Sequence, residues 1–204
     1  MNLRPDTYDQ FIHDEIYIDQ VYSQMSLNKD DVVLDIGANI WAYTVHASET
    51  ARQVIAFEPE AGNYVQLLKN IKGKRNIICY NSAVGYMSWV AQLHLSNTKN
   101  NWLHTLYPAE WSDWQSKQVW VMALDEIIDQ YWITKIKCDC EGWEYDIFDD
   151  YRIPSSVKEI VWECHLLNRD REKAEELMFK LSEQFTTCNF TIWDLPTFNF
   201  YFKR

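Results

Sequence analysis

Along the 204-residue chain, short apolar runs alternate with stretches whose apolar residues recur at helical spacing. That alternation predicts an α/β protein. Core strands are expected at 31–36, 53–58, 77–84, 133–140 and 157–166, with extra strands at 89–95 and 119–122. The first two read as strands buried on both faces, interrupted only by Asp35. Helices are expected at 40–51, from Pro59 to a stop at Gly73, and at 124–131, 143–149 and 169–184. Residues 1–28 form a helical leader, capped by Asp9 or a neighbour, with Phe11, Ile12, Ile16, Ile18, Val21 and Tyr22 at its apolar positions. Such a leader either packs as a simple helix or folds over a site. Residues 189–204 read as two aromatic-rich strands about Pro196, a C-terminal hairpin. No repeat or linker divides the chain, so a single domain spanning 1–204 is expected. Its class is three-layer, doubly wound, with a mostly parallel sheet.

The stretch 31–41, DVVLDIGANIW, organises the rest. A buried strand ends in Gly37, Ala38 and Asn39, a helix follows, and a second strand ends in the acid Glu58, with Pro59 after it. This is the layout of a nucleoside-binding βαβ unit, in which the acid binds ribose hydroxyls and the glycine admits the ligand to the backbone. A dinucleotide site needs a glycine-rich turn to seat a pyrophosphate on the helix N-terminus. Here the turn has one glycine, and Asp35 just before it would repel phosphate. S-adenosylmethionine (SAM), which has no phosphate and carries a sulfonium and an ammonium, suits that turn better than NAD. The segment Asn81-Ser82-Ala83 falls where the third strand of such a sheet passes an adenine.

The strand at 133–140 carries the second group of candidates. Ile136, Cys138 and Cys140 point to one face; Lys135, Lys137, Asp139 and Glu141 point to the other. Charges on a central strand, near its carboxyl end, usually serve a ligand. The neighbouring strand contributes Glu163 and His165 at the same end. Asp139 and His165 are the candidate general bases. His165 is suited to act near neutral pH, or else is a hydrogen-bonded core histidine. Asp139, kept ionised by Lys137, could instead contact the SAM ammonium. Glu141 and Glu144 are placed to order the turn or hold an acceptor. Asp139, Glu141 and Glu163 could also bind Mg²⁺, and Cys138, Cys140, Cys164 and His165 could be drawn as a zinc set, but no metal is assigned to either.

Composition narrows the partners. A formal net charge of -11 disfavours nucleic acid and anionic membrane surfaces. The N-terminal segment lacks the apolar core of a signal peptide, and no run approaches the ~18 residues of a membrane span. The five cysteines, an odd number mostly in strand-like runs, read as reduced thiols, hence a cytoplasmic protein. Residues 96–117 form a polar loop insertion holding Trp102, His104, Trp111 and Trp114. Loops of that length are uncommon unless functional. Its aromatics either pin it to the core or form a platform for an acceptor.

Taken together, VVLDIGANI (32–40), VIAFEPE (54–60), NYVQLLKNI (63–71), NSAVG (81–85), ALDEII (123–128) and KCDCEGWEYDIF (137–148) resemble the FkbM family of SAM-dependent methyltransferases. The leader RPDTYD (4–9) is similar to that family's R-x-G-T-x-D segment. The resemblance implies a seven-stranded class I methyltransferase sheet ending in an antiparallel hairpin. It implies O-methylation, often of a small molecule or a sugar. Asp35, Gly37, Ala38 and Asn39 would line the methionine end of SAM, Glu58 and Pro59 the ribose, and Ser82 and Ala83 the adenine. Asp139 and Glu141 would face the reacting centre. One position departs: the family usually has glycine where this chain has Trp41. The indole would point away from the cofactor, line the acceptor pocket, or fill the methionine slot. The last would leave a catalytically inactive SAM-binding or scaffold protein.

Overall fold

A computed structural model describes residues 2–96, 104–106, 115–149, 151–165, 171–194 and 197–204. Trp102, Trp111 and Trp114 of the loop insertion lie outside the described residues. The elements in chain order are α1 (Asp9–Tyr17), β1 (Val32–Ile36), α2 (Ala42–Ser48), β2 (Gln53–Phe57), α3 (Ala61–Asn70), β3 (Ile77–Tyr80), β4 (Ala83–Gly85) and β5 (Trp89–Leu95). They continue with β6 (Gln115–Ala123), α4 (Leu124–Tyr131), β7 (Lys135–Cys138), α5 (Glu144–Phe148), β8 (Glu159–His165), α6 (Arg171–Ser182), β9 (Thr187–Asp194) and β10 (Thr197–Lys203).

Seven strands form one sheet in the order β3-β2-β1-β7-β8-β10-β9. The first five run parallel, and β10 pairs antiparallel with both β8 and β9. The order reverses between β1 and β7, so their carboxyl ends flank the switch point where ligands bind in doubly wound sheets. The two-residue period of the strands divides the core. Leu34, Ile36, Phe57, Ile136, Ile160 and Trp162 pack with α4, α5 and α6 on one face. Val33, Val54, Ala56, Val161 and Tyr201 pack with α1, α2 and Leu67 of α3 on the other. The three-layer expectation and the hairpin are both met.

Sequence and structure differ in four places. The run 77–84 is two strands: the chain bends at 81–82, and β4 leaves the main sheet for a second one, β4-β6-β5. The Ser82 hydroxyl, bonded to the Trp120 carbonyl at 2.8 Å, holds that bend against β6. β6 is longer than expected because it pairs along β5 from Trp89↔Val121 to Leu95↔Gln115. The first helix starts later, at Ala42, because Asn39 and Trp41 both have positive φ. Finally, Asp9 caps nothing. It is buried, and its carboxylate accepts from the Arg4 backbone N–H (2.7 Å), Nε (3.0 Å) and Nη2 (2.9 Å). Burial alone would raise this carboxyl, but Arg4 outweighs it and holds its pKa below the ordinary value. Thr7 donates to the Arg4 carbonyl, and Arg4 also reaches Asn63 of α3 at 2.9 Å. The RPDTYD segment is therefore a self-bonded knot that ties the leader to the main domain.

Gly37 has φ +76°, and a Cβ there would lie 1.8 Å from the backbone carbonyl oxygen of Asp139. The glycine is required by the approach of the chain after β7, so the expected reason, access for a ligand, is not the principal one. Gly73 has φ +90° with nothing within 4 Å of its Cβ position. Gly73→Ala should therefore cost only the left-handed strain, about 1–2 kcal/mol. Gly37→Ala should cost more than about 3 kcal/mol or abolish folding. Thermal unfolding of both variants checks this; equal losses would show that the close approach is not what demands glycine.

Candidate active site

A cleft opens at the switch point. It is lined by Gly37, Ala38 and Asn39 after β1, by Glu58 and Pro59 after β2, by Ala83, and by Asp139, Glu141, Glu163 and His165 at the ends of β7 and β8. The leader closes one side with Ile12, Glu15, Ile16, Val21 and Tyr22. Of the two expectations for the leader, folding over the site is the one seen.

The turn after β1 offers no anion nest. Gly37 and Ala38 both donate their N–H to the Phe57 carbonyl (3.1 and 3.0 Å), and Asn39 donates its N–H to Glu58 Oε2 (2.8 Å). With those amides engaged, a phosphate has nothing to bind there. What faces the cleft is small side chains and the Asn39 side chain, whose buried Oδ1 has no hydrogen-bond partner. Glu58 also accepts from the Glu60 N–H at 2.8 Å, so each of its oxygens keeps a lone pair. Burial pushes its carboxyl up to about 7.

Asp35 does not line the cleft. It is wholly buried one layer below, bonded by the Thr44 hydroxyl at 2.5 Å and ion-paired with Lys137 Nζ at 3.3 Å without an aligned hydrogen bond. Asp35 and Lys137 are direct cross-strand partners of β1 and β7. Lys137 also reaches Asp139 at 3.5 Å and the Gly37 carbonyl at 3.0 Å. Burial alone would lower the Lys137 ammonium, but Asp35 and Asp139 more than reverse that. The charge of Asp35 thus answers Lys137, and the carboxylate expected to line the methionine end of SAM lies beneath the cleft instead of in its wall. Ser82 is likewise turned to β6, while its neighbour Ala83 does line the cleft.

The acidic end gathers Asp139, Glu141 and His165, with one donor atom of each within 4.8 Å of the others. His165 Nε2 lies 3.5 Å from Glu141 and 3.7 Å from Glu163, and Nδ1 lies 3.2 Å from Glu144. Burial would lower the His165 pKa, but Glu141, Glu144 and Glu163 outweigh it and hold it well above the ordinary histidine value. The three carboxylates around the ring thus favour its protonated, hydrogen-bond-donating form. Glu163 is pushed up to about 7, chiefly by burial and then by Asp139. Glu144 accepts from the Cys140 N–H at 3.1 Å, which is the turn-ordering role considered for it. The five cysteines form no disulfide; the Cys138 and Cys140 sulfurs lie 3.7 Å apart, Cys164 contacts the Tyr145 hydroxyl at 3.3 Å, and among the described residues no thiol joins the Asp139–Glu141–His165 group.

Two cleft residues carried no chemical signal in the sequence. Tyr22 places its hydroxyl 3.2 Å from Asp139 and 3.1 Å from Glu163. Glu15 on α1 is pushed up to about 8 by burial and by Glu163 and Asp139. Both sit on an ordinary amphipathic leader, and only its seating over the sheet gives them a role.

Trp41 is fully buried but does not line the cleft. Its ring packs 5.8 Å from Tyr17 and 5.9 Å from His13, between α1 and α2. The indole therefore points away from the cleft. Its φ of 145° is glycine-like territory, which explains why a glycine fits this turn and means that the tryptophan is strained.

The raised carboxyls set a pH dependence. In the folded state Glu15 and Glu58 keep a proton that the unfolded chain, at the ordinary glutamate value of 4.5, has lost. Stability from these groups falls as pH rises through that window, up to about 8 for Glu15 and about 7 for Glu58. The raised His165 acts in the same direction, its contribution being present at low pH and lost as pH climbs through its folded value. The unfolding temperature should be about 3 °C or more higher near pH 5.5 than near pH 8.5. A flat or opposite profile in thermal melts would contradict this electrostatic picture.

Comparison with known proteins agrees with this architecture. Residues 35–191 match the family described as the methyltransferase FkbM domain. A crystal structure of methyltransferase FkbM from Methylobacillus flagellatus superposes with a TM-score of 0.57 at 15% identity, covering 93% of this chain and 48% of that one. A putative methyltransferase from Streptococcus mutans, solved in complex with SAH, gives 0.51 at 12% identity, covering 100% and 99%. In sequence, 56 residues are 41% identical to the AMB antimetabolite synthetase AmbE of Pseudomonas aeruginosa, covering 26% of this chain and 3% of that protein. The chain thus spans about half of that FkbM structure and a small fraction of AmbE. It belongs to the FkbM methyltransferase family.

Proposed function

We propose that the protein transfers a methyl group from SAM to a hydroxyl oxygen of a small molecule or a saccharide. The observation that carries the reading is the turn at 37–39: its amides are engaged internally, its Asn39 oxygen is unpartnered, and Glu58 stands beside it. Those groups fit an adenosine compound without phosphate. The SAH bound by the Streptococcus mutans neighbour is in keeping with that choice.

SAM, when bound, supplies a methyl group on a sulfonium, already a good leaving group. The residues of the chain then mainly align and desolvate, and alignment alone can supply about 7–11 kcal/mol of the barrier. Glu58 holds the ribose hydroxyls, with Pro59 beside it and Ala83 against the adenine. Asn39 Oδ1 receives the ammonium. Tyr22 and the leader exclude water from the acidic end. His165, protonated, donates to the acceptor oxygen and positions it together with Glu141. Glu163, near-neutral in pKa and facing the cleft, takes the hydroxyl proton. The net charge of -11 and the acid-lined acceptor end argue for a neutral or polyhydroxylated acceptor over nucleic acid or a membrane surface. No helix among the described residues is long and apolar enough to cross a membrane. Five free thiols favour a cytoplasmic setting. The position of Trp41 outside the cleft favours an active enzyme over a binding-only protein.

Titration of SAM by calorimetry tests the cofactor. Wild type should bind one SAM, and Glu58→Ala should weaken binding about tenfold or more, roughly 1.4 kcal/mol. No heat with wild type, or an unchanged affinity in the variant, rejects the assignment. Trp41→Gly should leave SAM affinity within about threefold while lowering the unfolding temperature, because a cavity costing about 3–5 kcal/mol outweighs the relief of backbone strain. If instead SAM affinity appears only in Trp41→Gly, the binding-only reading replaces the enzymatic one.

A further inference from the structure

We propose that Asp139, Glu141 and His165 form a binding site for a divalent cation of the Mn²⁺ type at the acceptor end of the cleft. The inference deepens the methyl-transfer reading and rests on it for its catalytic meaning, though not for the existence of the site.

The donors are spaced for one ion. Their atoms lie within 4.8 Å of each other, and His165 Nε2 is 3.5 Å from Glu141. An octahedral shell with metal–ligand distances near 2.1 Å puts adjacent ligands about 3 Å apart and opposite ones about 4.2 Å apart. The three donors must draw together from these separations to share one ion.

An independent observation points to a ligand. Glu141 is only 8% exposed and lines the cleft, yet its Oε2 accepts no hydrogen bond: the 3.5 Å approach of His165 Nε2 is an ion pair without an aligned hydrogen bond. It is held there by consecutive left-handed residues, Glu141 at φ 57° and Gly142 at φ 94°. A buried carboxylate oxygen without a donor is costly unless something fills the gap.

The histidine is oriented from behind. Glu144, fully buried, places Oε1 3.2 Å from His165 Nδ1 and is fixed by the Cys140 N–H. A carboxylate on one imidazole nitrogen, with the other turned toward a carboxylate cluster, is the arrangement that prepares a histidine to ligate; the ion displaces the Nε2 proton to solvent, Nδ1–H stays on Glu144, and the ion takes over the acceptor-positioning role of the imidazolium.

Charge completes the case. Glu15, Asp139, Glu141 and Glu163 face the cleft, with Lys137 and His165 as the nearby cations, and Lys137 is shared with Asp35. A divalent ion offsets that excess directly. Nitrogen and oxygen donors without sulfur suit Mn²⁺ or Mg²⁺ better than a structural zinc. Positions on the ion not filled by protein would receive two neighbouring oxygens of the acceptor, as in a vicinal diol or a 2-hydroxy acid. A hydroxyl beside the ion ionises more readily. Its O–H bond breaks with the proton passing to Glu163. The oxygen then attacks the methyl carbon as the C–S bond breaks and its electron pair returns to sulfur.

The test is titration of full-length protein with MnCl₂ in the absence of SAM, following loss of the free aqua-Mn²⁺ EPR signal. Wild type should take up one Mn²⁺ per chain, with Glu141→Gln and Asp139→Asn each weakening uptake about tenfold or more and Glu144→Gln by a comparable factor. Glu126→Gln, on an exposed helix face, should bind as wild type does. His165→Gln is informative only if it folds, so the two near-isosteric carboxylate variants decide the matter. No tight uptake by wild type, or uptake that survives both Glu141→Gln and Asp139→Asn, overturns the proposal. Mn²⁺ uptake without SAM binding would leave the cation site standing and remove the methyl-transfer reading; SAM binding without Mn²⁺ uptake would do the reverse.

Discussion

The site depends on one buried ammonium. Lys137 sits on a central strand with a side chain only 4% exposed, a placement that costs several kcal/mol unless the charge is met. It is met by Asp35 across the strand pair, by Asp139 on its own strand, and by the Ile36 and Gly37 carbonyls at the end of β1. One cation thereby pins together the carboxyl ends of β1 and β7, the two strands between which the sheet reverses order. The cleft opens where it does because these two ends are held in one register. A second pair, Lys135 with Glu159 and Asp31, repeats the arrangement one step deeper between β7 and β8.

Above that ladder the chain is crowded. The Asp139 carbonyl presses on Gly37, so the turn at 37–39 and the loop that carries the acidic residues share a van der Waals boundary. The consequence is stiffness: neither can move without the other. The leader adds a third wall. Its Arg4–Thr7–Asp9 knot anchors it to Asn63, and Trp41 fills the space between α1 and α2. A tryptophan in a glycine-like conformation is tolerated because its ring is surrounded by Tyr17, His13 and the rest of the α1–α2 core.

The cleft is electrostatically two-sided. At the Glu58 end, one carboxylate is ordered by backbone amides. At the other end, several carboxylates surround one imidazole, and desolvation raises the pKa of Glu15, Glu141 and Glu163 together. Such a group is expensive to fold around.

Much of this was legible in the sequence. Short apolar strands and amphipathic helices specify the three layers, because a strand buried on both faces and a helix buried on one leave different periodicities. The alternation read on 133–141 singled out Lys137, Asp139 and Glu141, all of which line the cleft, although the strand ends at Cys138 and Cys140 lines it too; the turn after Ile36 stood out by its small residues. Other features required the folded chain. Asp35 looked like a ligand contact, but only the register of β1 against β7 reveals that Lys137 takes its charge. The run 77–84 looked like one strand, since a bend between two sheets leaves no break in hydrophobicity. The proton affinity of His165 is set by Glu163 on its own strand and by Glu141 and Glu144, which the fold brings in from the segment after β7. The sequence alone determined which faces are apolar, a matter of local period. The tertiary structure decided which charges meet and which way Trp41 points, because those depend on distances between segments far apart in the chain.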